Sequence, residues 1–326
     1  MSRSPQPALH RAAPGAPAAA PGPTASAPAR AALCPIVLAC DDGYAMPLAT
    51  TLRSLVDANP RAWPIECHVL SDGITETTRA RVLASLPEGS ATIRWIPVEL
   101  AAFGRFSTAQ HISKITYARL LIASLLDEAI DRILYLDTDL LVLSDLEALC
   151  RTALGGAVLG AVTDVFLDPG LKRQSPECCG MPRVADYFNA GVLLIDMKEW
   201  RRQKAAERAM DYLSQHPDSP YSDQDALNAG CDGRWSKLDE RYNFQNHYNL
   251  RIAECEPSAR PVIAHFVTKW KPWIVDVLSV NAQFYDTFRR RTRYARTPAE
   301  RVRDETKRFR LRAANFVRRK LRWKRG

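Results

Sequence analysis

The stretch Arg132-Ile-Leu-Tyr-Leu-Asp-Thr-Asp-Leu-Leu-Val-Leu-Ser-Asp145 decides the fold. Residues 133–136 form a short apolar run, which is typical of a strand buried on both faces of a parallel sheet. The run ends in Asp137-Thr-Asp139, and ligands of open α/β sheets bind just beyond the carboxyl ends of the strands. Because residues two apart on an extended chain point to the same side, Asp137 and Asp139 can present two carboxylates to one point.

Two adjacent carboxylates repel each other unless a cation lies between them. A hard divalent cation removes that cost, and oxygen ligands suit Mg²⁺ or Mn²⁺. Triplets of the form Asp-x-Asp also occur as ordinary loop or helix-cap residues. The position of Asp137 and Asp139 directly after an apolar strand favours the metal site.

Strand-length apolar runs alternate with helical periodicities along most of the chain. This alternation predicts a single nucleotide-binding, Rossmann-like α/β domain with a mixed, mostly parallel sheet. The predicted strands are residues 35–40, 65–70, 91–98, 133–136, 160–163, 187–196 and 261–267. The predicted helices are residues 46–58, 75–86, 115–126 and 198–214, with a further helix beginning at Ser222.

Polar side chains stand at the ends of several of these strands. The geometry of open α/β sheets predicts one site to which the ends of several strands contribute side chains. The side chains concerned are Asp41, Asp137, Asp139, Asp164, Asn189 and His265.

His265 and Lys271 extend the predicted metal site. A lone histidine on an apolar strand is usually a core residue, but two aspartates leave a cation under-coordinated and a third ligand is needed. Since imidazole suits Mn²⁺ better than Mg²⁺, we predict Mn²⁺, with Mg²⁺ as the alternative. Lys271, six residues later, suits a diphosphate. The alternative for Lys271 is a solvated surface lysine.

Two further segments carry groups suited to a sugar. In Asn189-Ala190-Gly191 the glycine lets backbone approach a ligand closely, and the Asn189 amide can bind hydroxyls. Asp223 and Gln224 open a helix, where Ser222 or Asp223 could instead be the N-cap.

Together these segments resemble glycosyltransferase family 8, and within it the bacterial lipopolysaccharide α-1,4-galactosyltransferases. The resemblance runs in the same order over about residues 34–286. It implies a GT-A fold, a UDP-hexose donor (galactose or glucose), Mn²⁺, and retention of anomeric configuration. The matching segments are 39–42, 116–119, 134–139, 187–194, 223–225 and 265–273.

The resemblance also implies roles for individual residues. Asp137, Asp139 and His265 resemble the metal ligands, and Lys271 resembles the diphosphate contact. The positions that resemble uridine contacts are Ala39, Asp41 and the backbone near Thr138. The positions that resemble donor-sugar contacts are Arg119, Asp164, Asn189 with Ala190 and Gly191, Asp223 and Gln224.

Three positions depart from the family pattern. Gly43 stands where the galactosyltransferases carry an asparagine that contacts the nucleotide. Thr268 stands where they carry a glycine near the diphosphate. Residues 243–248 differ where the acceptor is expected, so the sequence leaves the acceptor open.

The sequence leaves two retaining mechanisms open. Double displacement requires a carboxylate nucleophile, for which Asp223 and Asp164 are the candidates. Gln224, expected near the anomeric carbon, is an amide and a poor nucleophile. Front-face attack, in which the departing phosphate takes the proton of the acceptor, is the preferred alternative.

The net charge of +9 is unevenly distributed along the 326 residues. Residues 287–326 hold 17 Lys and Arg against 3 Asp and Glu, a net of +14, whereas residues 1–286 hold 28 against 33, a net of −5. Within residues 298–326, Val302, Phe309, Phe316 and Trp323 recur every seven residues. This pattern predicts an amphipathic helix that binds an anionic membrane surface. Nucleic-acid binding and a disordered solubilising end are the alternatives.

The predicted organisation has three parts. Residues 1–33, rich in Pro and Ala, form a disordered extension, residues 34–286 the glycosyltransferase domain, and residues 287–326 the membrane-association tail. The eight cysteines form no Cys-x-x-Cys pair, which fits a reducing cytoplasm.

The predicted protein is therefore cytoplasmic and peripheral on the inner face of a bacterial membrane. Its predicted partners are UDP-galactose or UDP-glucose and a saccharide acceptor on lipid, but not nucleic acid. A nucleotidyltransferase or nucleotide-sugar hydrolase is the alternative activity. A non-catalytic nucleic-acid-binding protein is disfavoured by the acidic body.

Overall fold

Two sheets organise the part of the chain that the computed structural model describes, namely residues 33–104, 106, 113–165, 182–245, 251–256, 259–267 and 269–323. The larger sheet has seven strands in the order β3-β2-β1-β4-β7-β6-β8, and the smaller has the order β5-β10-β9. The strands are β1 (Ile36–Asp41), β2 (Ile65–Asp72), β3 (Ala91–Pro97), β4 (Arg132–Leu136), β5 (Leu140–Val142), β6 (Leu159–Thr163), β7 (Phe188–Asp196), β8 (Trp235–Lys237), β9 (Phe244–Gln245) and β10 (Ile263–His265).

Helices cover the sheets and link their strands. The α-helices are α1 (Ala45–Ala58), α2 (Glu76–Leu83), α3 (Ile122–Leu125), α4 (Glu147–Cys150), α5 (Met197–Arg202), α6 (Ala205–Gln215), α7 (Ser222–Gly230), α8 (Ala282–Arg289) and α9 (Pro298–Trp323). The 3₁₀ helices are Asp42–Tyr44, Pro60–Ala62, Ala101–Phe103, Lys114–Leu121, Glu240–Asn243 and Ile252–Glu254.

The larger sheet is mixed but mostly parallel, as the sequence predicted. Strand β1 runs parallel to β2 and β4, β2 runs parallel to β3, and β6 runs parallel to β8. Only β7 is antiparallel to both of its neighbours, β4 and β6, among the described strands. The carboxyl ends of β1 and β4 consequently meet at one edge, where the polar residues that follow them lie.

Strand β4 is buried on both faces, which confirms the prediction from its unbroken apolar run. Leu134 and Leu136 pack into the core beneath α1, whereas Ile133 and Tyr135 pack into the core on the opposite face. All four side chains are at most 1% exposed. Alternate side chains of one strand thus join two cores, which fixes the position of the strand end and of Asp137.

Helix α1 covers the sheet with the face that its periodicity predicted. Leu48, Leu52, Leu55 and Val56 are fully buried. Burying each such side chain stabilises the fold by roughly 1.5–3 kcal/mol. Truncation of Leu52 to alanine should therefore cost about 2–5 kcal/mol, including the cavity that it leaves.

Two predicted helices differ from the structure. The predicted helix 115–126 is a 3₁₀ helix over Lys114–Leu121 that becomes α-helical only at Ile122–Leu125. The predicted helix 198–214 is divided into α5 and α6, because Lys204 adopts a left-handed conformation with φ of 52°. Apolar periodicity reports the buried face, but it does not report a local break in the backbone.

Helix α9 begins by packing on the body of the protein. Arg296, just before it, pairs with Asp286 of α8 at 2.9 Å and with Asp304 of α9 at 2.7 Å. The residues of the predicted apolar stripe are exposed on α9, where Val302 is 66% and Phe309 is 70% exposed. None of the described helices has the length and apolarity that crossing a bilayer requires.

Some predictions concern residues outside the described ranges. They are the extension up to residue 32, Thr268, residues 246–248 of the divergent acceptor segment and the side chain of Trp323. The described cysteines are all unbridged.

Candidate functional site

The backbone around the two aspartates is held by strands from distant parts of the sequence. Asp137 donates its N–H to the carbonyl of Gly191 in β7 at 2.8 Å. Asp139 accepts at its carbonyl from Phe266 N–H at 3.0 Å, because β5 pairs with β10 and places Leu140 opposite His265. The antiparallel pairing of β5 with β10 therefore carries His265 to the aspartates.

Asp137, Asp139 and His265 converge as the sequence predicted. Their nearest ligand atoms all lie within 4.8 Å of one another. His265 Nε2 lies 3.1 Å from Asp139 Oδ1 and 3.9 Å from Asp137 Oδ2. One oxygen from each carboxylate and one imidazole nitrogen form a donor set that suits a divalent first-row cation.

The hydrogen-bond network around His265 orients its free nitrogen towards the carboxylates. Asn243 donates from Nδ2 to Asn189 Oδ1 at 2.9 Å, which leaves Asn243 Oδ1 to accept from His265 Nδ1 at 2.9 Å. A neutral His265 with its proton on Nδ1 turns the Nε2 lone pair towards Asp137 and Asp139. The trio then offers two carboxylate oxygens and one imidazole nitrogen on the same side, a donor set that fits a bound divalent metal.

Because Gly191 has no side chain, the imidazole of His265 can occupy the space beside it. A Cβ atom added to Gly191 would overlap Cε1 of His265 and would lie 2.8 Å from both His265 Nδ1 and Asp137 Oδ2. Only a residue without a side chain allows β7 to approach the trio this closely. The close approach of a glycine was predicted, but its neighbour is the imidazole.

Lys271 is a buried part of the site and not a solvated surface lysine. Its side chain is 11% exposed, and Nζ donates to Asp139 Oδ2 and to the carbonyl of Phe266 at 2.7 Å. Burial alone would raise the pKa of Asp139, but the charge of the neighbouring Lys271 and its hydrogen bond hold that pKa well below its usual range. The Asp139 carboxylate is therefore ionised at neutral pH.

Arg119 ties Asp137 to the helix that carries Asp223. Its Nη2 pairs with Asp137 Oδ1 at 2.9 Å, its Nε with Asp223 Oδ2 at 2.9 Å, and its Nη1 donates to Ala190 O at 2.6 Å. The guanidinium also lies 4.8 Å from the ring centroid of Tyr135. Burial opposes the charge on Arg119, but the two carboxylates raise its pKa and keep it cationic. The planar fork of arginine suits this three-way contact.

Asp223 does not cap its helix. The N-cap of α7 is Tyr221, without a side-chain cap bond, so the interpretation of Ser222 or Asp223 as the cap is wrong. Asp225, which sequence reasoning did not single out, accepts from Tyr221 N–H at 2.9 Å. Asp223 is 4% exposed, and burial raises its pKa in spite of the neighbouring Arg119 charge.

A chain of amides links Asp164 to the backbone beside the trio. Asp164 Oδ2 accepts from Asn189 Nδ2 at 3.0 Å and from Gln224 Nε2 at 3.1 Å. Gln224 Oε1 accepts from Ala190 N–H at 3.0 Å, and Asn189 Oδ1 accepts from Gly191 N–H at 3.1 Å. One chain of hydrogen bonds therefore joins five of the predicted donor-sugar positions, namely Asp164, Asn189, Ala190, Gly191 and Gln224.

The predicted uridine positions lie at the end of β1. Ala39 is 8% exposed, and Asp41 Oδ1 accepts from Tyr44 N–H at 3.0 Å. Burial and the nearby Asp139 and Asp41 raise the pKa of the Tyr44 phenol, so these groups share one neighbourhood. At Gly43, where a relative would carry asparagine, an added Cβ would lie 3.3 Å from Asp41 Oδ1.

Thr138 is 7% exposed, and its carbonyl accepts from Thr51 Oγ1 at 2.8 Å. Sequence reasoning missed Tyr135, whose hydroxyl donates to Asp137 Oδ1 at 2.9 Å. Sequence reasoning also did not predict that Asn243 contacts His265. Neither residue lies in a pattern that distinguishes it from an ordinary core or loop residue.

The sheet, with the two aspartates at its edge, has the GT-A fold of glycosyltransferases, and comparison with known proteins agrees. The galactosyltransferase LgtC, solved in complex with donor and acceptor sugar analogs, superposes with a TM-score of 0.68 and 34% identity, over 83% of this chain and 99% of that chain. The profile of glycosyl transferase family 8 matches residues 35–276. The chain belongs to glycosyl transferase family 8.

Two relatives match over most of their length. General stress protein A of Bacillus subtilis (strain 168) is 29% identical over 252 residues, which are 73% of this chain and 86% of the relative. The lipopolysaccharide 1,2-glucosyltransferase of Escherichia coli (strain K12) is 26% identical over 259 residues, which are 75% of this chain and 74% of the relative. The family predicted from the motifs is thereby confirmed.

Proposed function

We propose that the protein transfers a hexose, galactose or glucose, from a UDP-sugar to a saccharide acceptor of lipopolysaccharide or a related glycolipid, with retention. The convergence of Asp137, Asp139 and His265 beside the buried Lys271 carries the proposal. The names of LgtC and of the Escherichia coli glucosyltransferase support a hexose donor and a lipopolysaccharide acceptor.

Asp137, Asp139 and His265 would hold the metal. Mn²⁺ is proposed ahead of Mg²⁺ because the donor set contains an imidazole nitrogen. A divalent cation bound there would neutralise the charge that develops on the departing diphosphate. Lys271 would add a second positive charge to the diphosphate, from a position already fixed by Asp139 and Phe266 O.

The donor would lie along the edge formed by β1, β4 and β7. Ala39, Asp41 and the backbone near Thr138 would contact uridine. The sugar would contact the hydrogen-bonded side chains around Asp164, each of which orients its neighbour. The proposed sugar contacts are Arg119, Asp164, Asn189, Ala190, Gly191, Asp223 and Gln224.

Front-face attack is the proposed mechanism. The oxygen of an acceptor hydroxyl bonds to C1 on the face from which UDP departs, the C1–O bond to the β-phosphate breaks, and the hydroxyl proton passes to that phosphate. Asp223 is held by Arg119, and Asp164 accepts from both Asn189 and Gln224, so each candidate nucleophile already has a partner. Isolation of a glycosyl adduct on Asp223 or Asp164 would establish double displacement instead.

The tail would place the enzyme on the cytoplasmic face of the bacterial membrane. The stripe of Val302, Phe309 and Phe316 is more than 60% exposed at each residue, on a helix dense in arginine. Each Lys or Arg near an anionic membrane surface adds about 1 kcal/mol of attraction. A lipid-linked acceptor would be reached at that surface.

A panel of UDP-sugars with Mn²⁺ tests the proposed function. UDP release from UDP-galactose or UDP-glucose should increase on addition of a lipopolysaccharide saccharide acceptor. Release of pyrophosphate would identify a nucleotidyltransferase, and UDP release that no acceptor stimulates would identify a hydrolase. Steeply salt-dependent DNA binding without UDP binding would identify a nucleic-acid-binding protein.

A further inference from the structure

An arginine-lined cleft lies between the first turns of α9, helix α8 and the turn before α8. Its volume is about 750 Å³, and it is separate from the metal-binding trio. Among the described residues, the arginines that line it are Arg251, Arg290, Arg296, Arg301, Arg308 and Arg312.

The acidic residues of the cleft do not balance these arginines. Asp286, Asp304 and Glu305 supply three carboxylates against six guanidinium groups, of which only that of Arg251 has its partner, Glu254, outside the lining among the ion pairs of the described residues. Two of the three are already engaged by one arginine, because Arg296 pairs with Asp286 at 2.9 Å and with Asp304 at 2.7 Å. The lining thus carries an excess of positive charge, which an anion would compensate.

The guanidinium group of Arg308 has a buried nitrogen that lacks a hydrogen-bond acceptor within the described part of the chain. Its Nε is buried and has no hydrogen-bond partner among the described residues, and its Nη2 donates only weakly, to Pro272 O at 3.4 Å. Burial, and then the neighbouring charges of Arg296 and Arg312, lower the pKa of Arg308. An anion within the cleft would relieve this repulsion and accept from the buried nitrogen.

The rim of the cleft is apolar. Val280 is 38% exposed and Phe309 is 70% exposed, and both line the cleft. Phe309 also belongs to the apolar stripe of α9. A ligand that combines an anionic head with hydrocarbon matches both parts of this surface.

We propose that the cleft binds the phosphate group of a membrane amphiphile, with the hydrocarbon of the ligand beside Phe309. Guanidinium forks match phosphate oxygens in geometry as well as charge. The proposal deepens the membrane association proposed above, and it rests on that association for its biological role. It assigns that association a specific headgroup site in addition to general charge attraction.

The cleft adjoins the segment that carries Lys271. Arg308 contacts Pro272 O, and Arg296 Nη2 donates to Trp273 O at 2.9 Å. A bound headgroup would therefore lie against the arginines that contact the two residues after Lys271. Through Pro272 and Trp273, the proposed headgroup site is thus connected to the segment that carries Lys271.

Vesicle co-sedimentation of the full chain tests the proposal. Phosphatidic acid, a phosphate monoester, is compared with phosphatidylserine, each in phosphatidylcholine and at matched surface charge. Wild type should bind the phosphatidic acid vesicles about tenfold more tightly, since a good charge-assisted contact changes affinity by about this factor. Arg308→Gln and Arg312→Gln should each remove the preference. Arg312 is exposed, so its replacement leaves folding intact.

Arg310→Gln is the matched control, since Arg310 is exposed on the same helix and does not line the cleft. It should weaken binding to both vesicles alike. Equal wild-type affinity for the two vesicles, or an unchanged preference in both cleft variants, overturns the proposal. Inorganic phosphate at constant ionic strength should compete for the vesicles. If phosphate binds the cleft without any vesicle preference, the ligand is a soluble phosphate and the membrane source is wrong. Asp139→Asn should keep the lipid preference, so failure of transfer and failure of the cleft are distinguishable.

Discussion

Gly191 and His265 are in contact across two different sheets, and the imidazole of His265 lies where a side chain at Gly191 would begin. Gly191 belongs to β7 of the larger sheet, and His265 belongs to β10 of the smaller one. The trio therefore forms at the junction of the sheets, and the absence of a side chain at Gly191 lets them meet.

Gly191→Ala should disrupt the proposed metal site without unfolding the protein. The added methyl group would displace His265 from Asp137 and Asp139, and we expect Mn²⁺ affinity to fall by about 10–100-fold, as for other changes that misorient a ligand. Isothermal titration with Mn²⁺ measures this. Gly160→Ala is the matched control, since its methyl group would meet the ends of Leu154 and Leu238. Equal Mn²⁺ affinity in the two variants would contradict the predicted role of Gly191.

Asp139→Asn should abolish transfer even in excess Mn²⁺. The amide would remove one predicted ligand and the ionic partner of Lys271, so we expect the rate of UDP release to fall by at least about 10²-fold. Asp131→Asn is the control, because Asp131 forms an exposed pair with Lys198 that contributes little. Retained activity of Asp139→Asn would refute the metal assignment.

Arg119→Lys should impair the site although the charge is kept. Lysine is a point charge and does not reproduce the fork that holds Asp137, Asp223 and Ala190 O together. We expect transfer to fall by more than tenfold and the free energy of unfolding to fall by about 1–3 kcal/mol. Urea denaturation and donor kinetics measure these effects. Arg132→Lys, at the opposite end of β4, should leave kcat unchanged.

Phe316→Ser should weaken membrane binding while leaving catalysis in solution intact. Phe316 is 61% exposed on α9, so replacing it removes apolar area from the stripe and not from the core. Truncation near Thr287 is a poorer test, because Arg291 pairs with Asp57 and Arg296 pairs with Asp286. Vesicle co-sedimentation of Phe316→Ser against Thr306→Ser, on the same helix, measures the effect. Unchanged binding would argue against the stripe as a membrane anchor.

Cys34 and Cys150 should form a disulfide with oxidised glutathione. Their sulfurs lie 3.0 Å apart, and the hydrogen bond from Cys34 lowers the pKa of Cys150. The two thiols lose two protons and two electrons, and glutathione disulfide is reduced to two glutathione molecules. Peptide mass spectrometry without reductant detects the link. Cys67 and Cys231, whose burial raises their pKa to about 12, should stay reduced. A glutathione adduct on Cys150 without the link would contradict this expectation.

Local patterns of apolar residues along the sequence allowed much of the fold to be predicted. Strand β4 and helix α1 were predicted because their burial follows a local pattern of apolar residues. Strands β5, β8 and β9 were missed, since two or three residues without a longer apolar run around them carry no period and depend on their partners. The break at Lys204 was missed for a related reason, because backbone conformation there is not encoded in apolar spacing.

The sequence by itself determined the family motifs, the carboxylates at the strand ends and the apolar stripe of α9, because each is local and periodic. Only the tertiary structure decided which of these groups meet. His265 reaches Asp139 across 126 positions through the pairing of β5 with β10, and Arg119 joins Asp137 to Asp223. The arginine cleft likewise exists only because α9 packs against α8. Such contacts depend on strand register and helix packing between segments far apart in the chain, which no local pattern records.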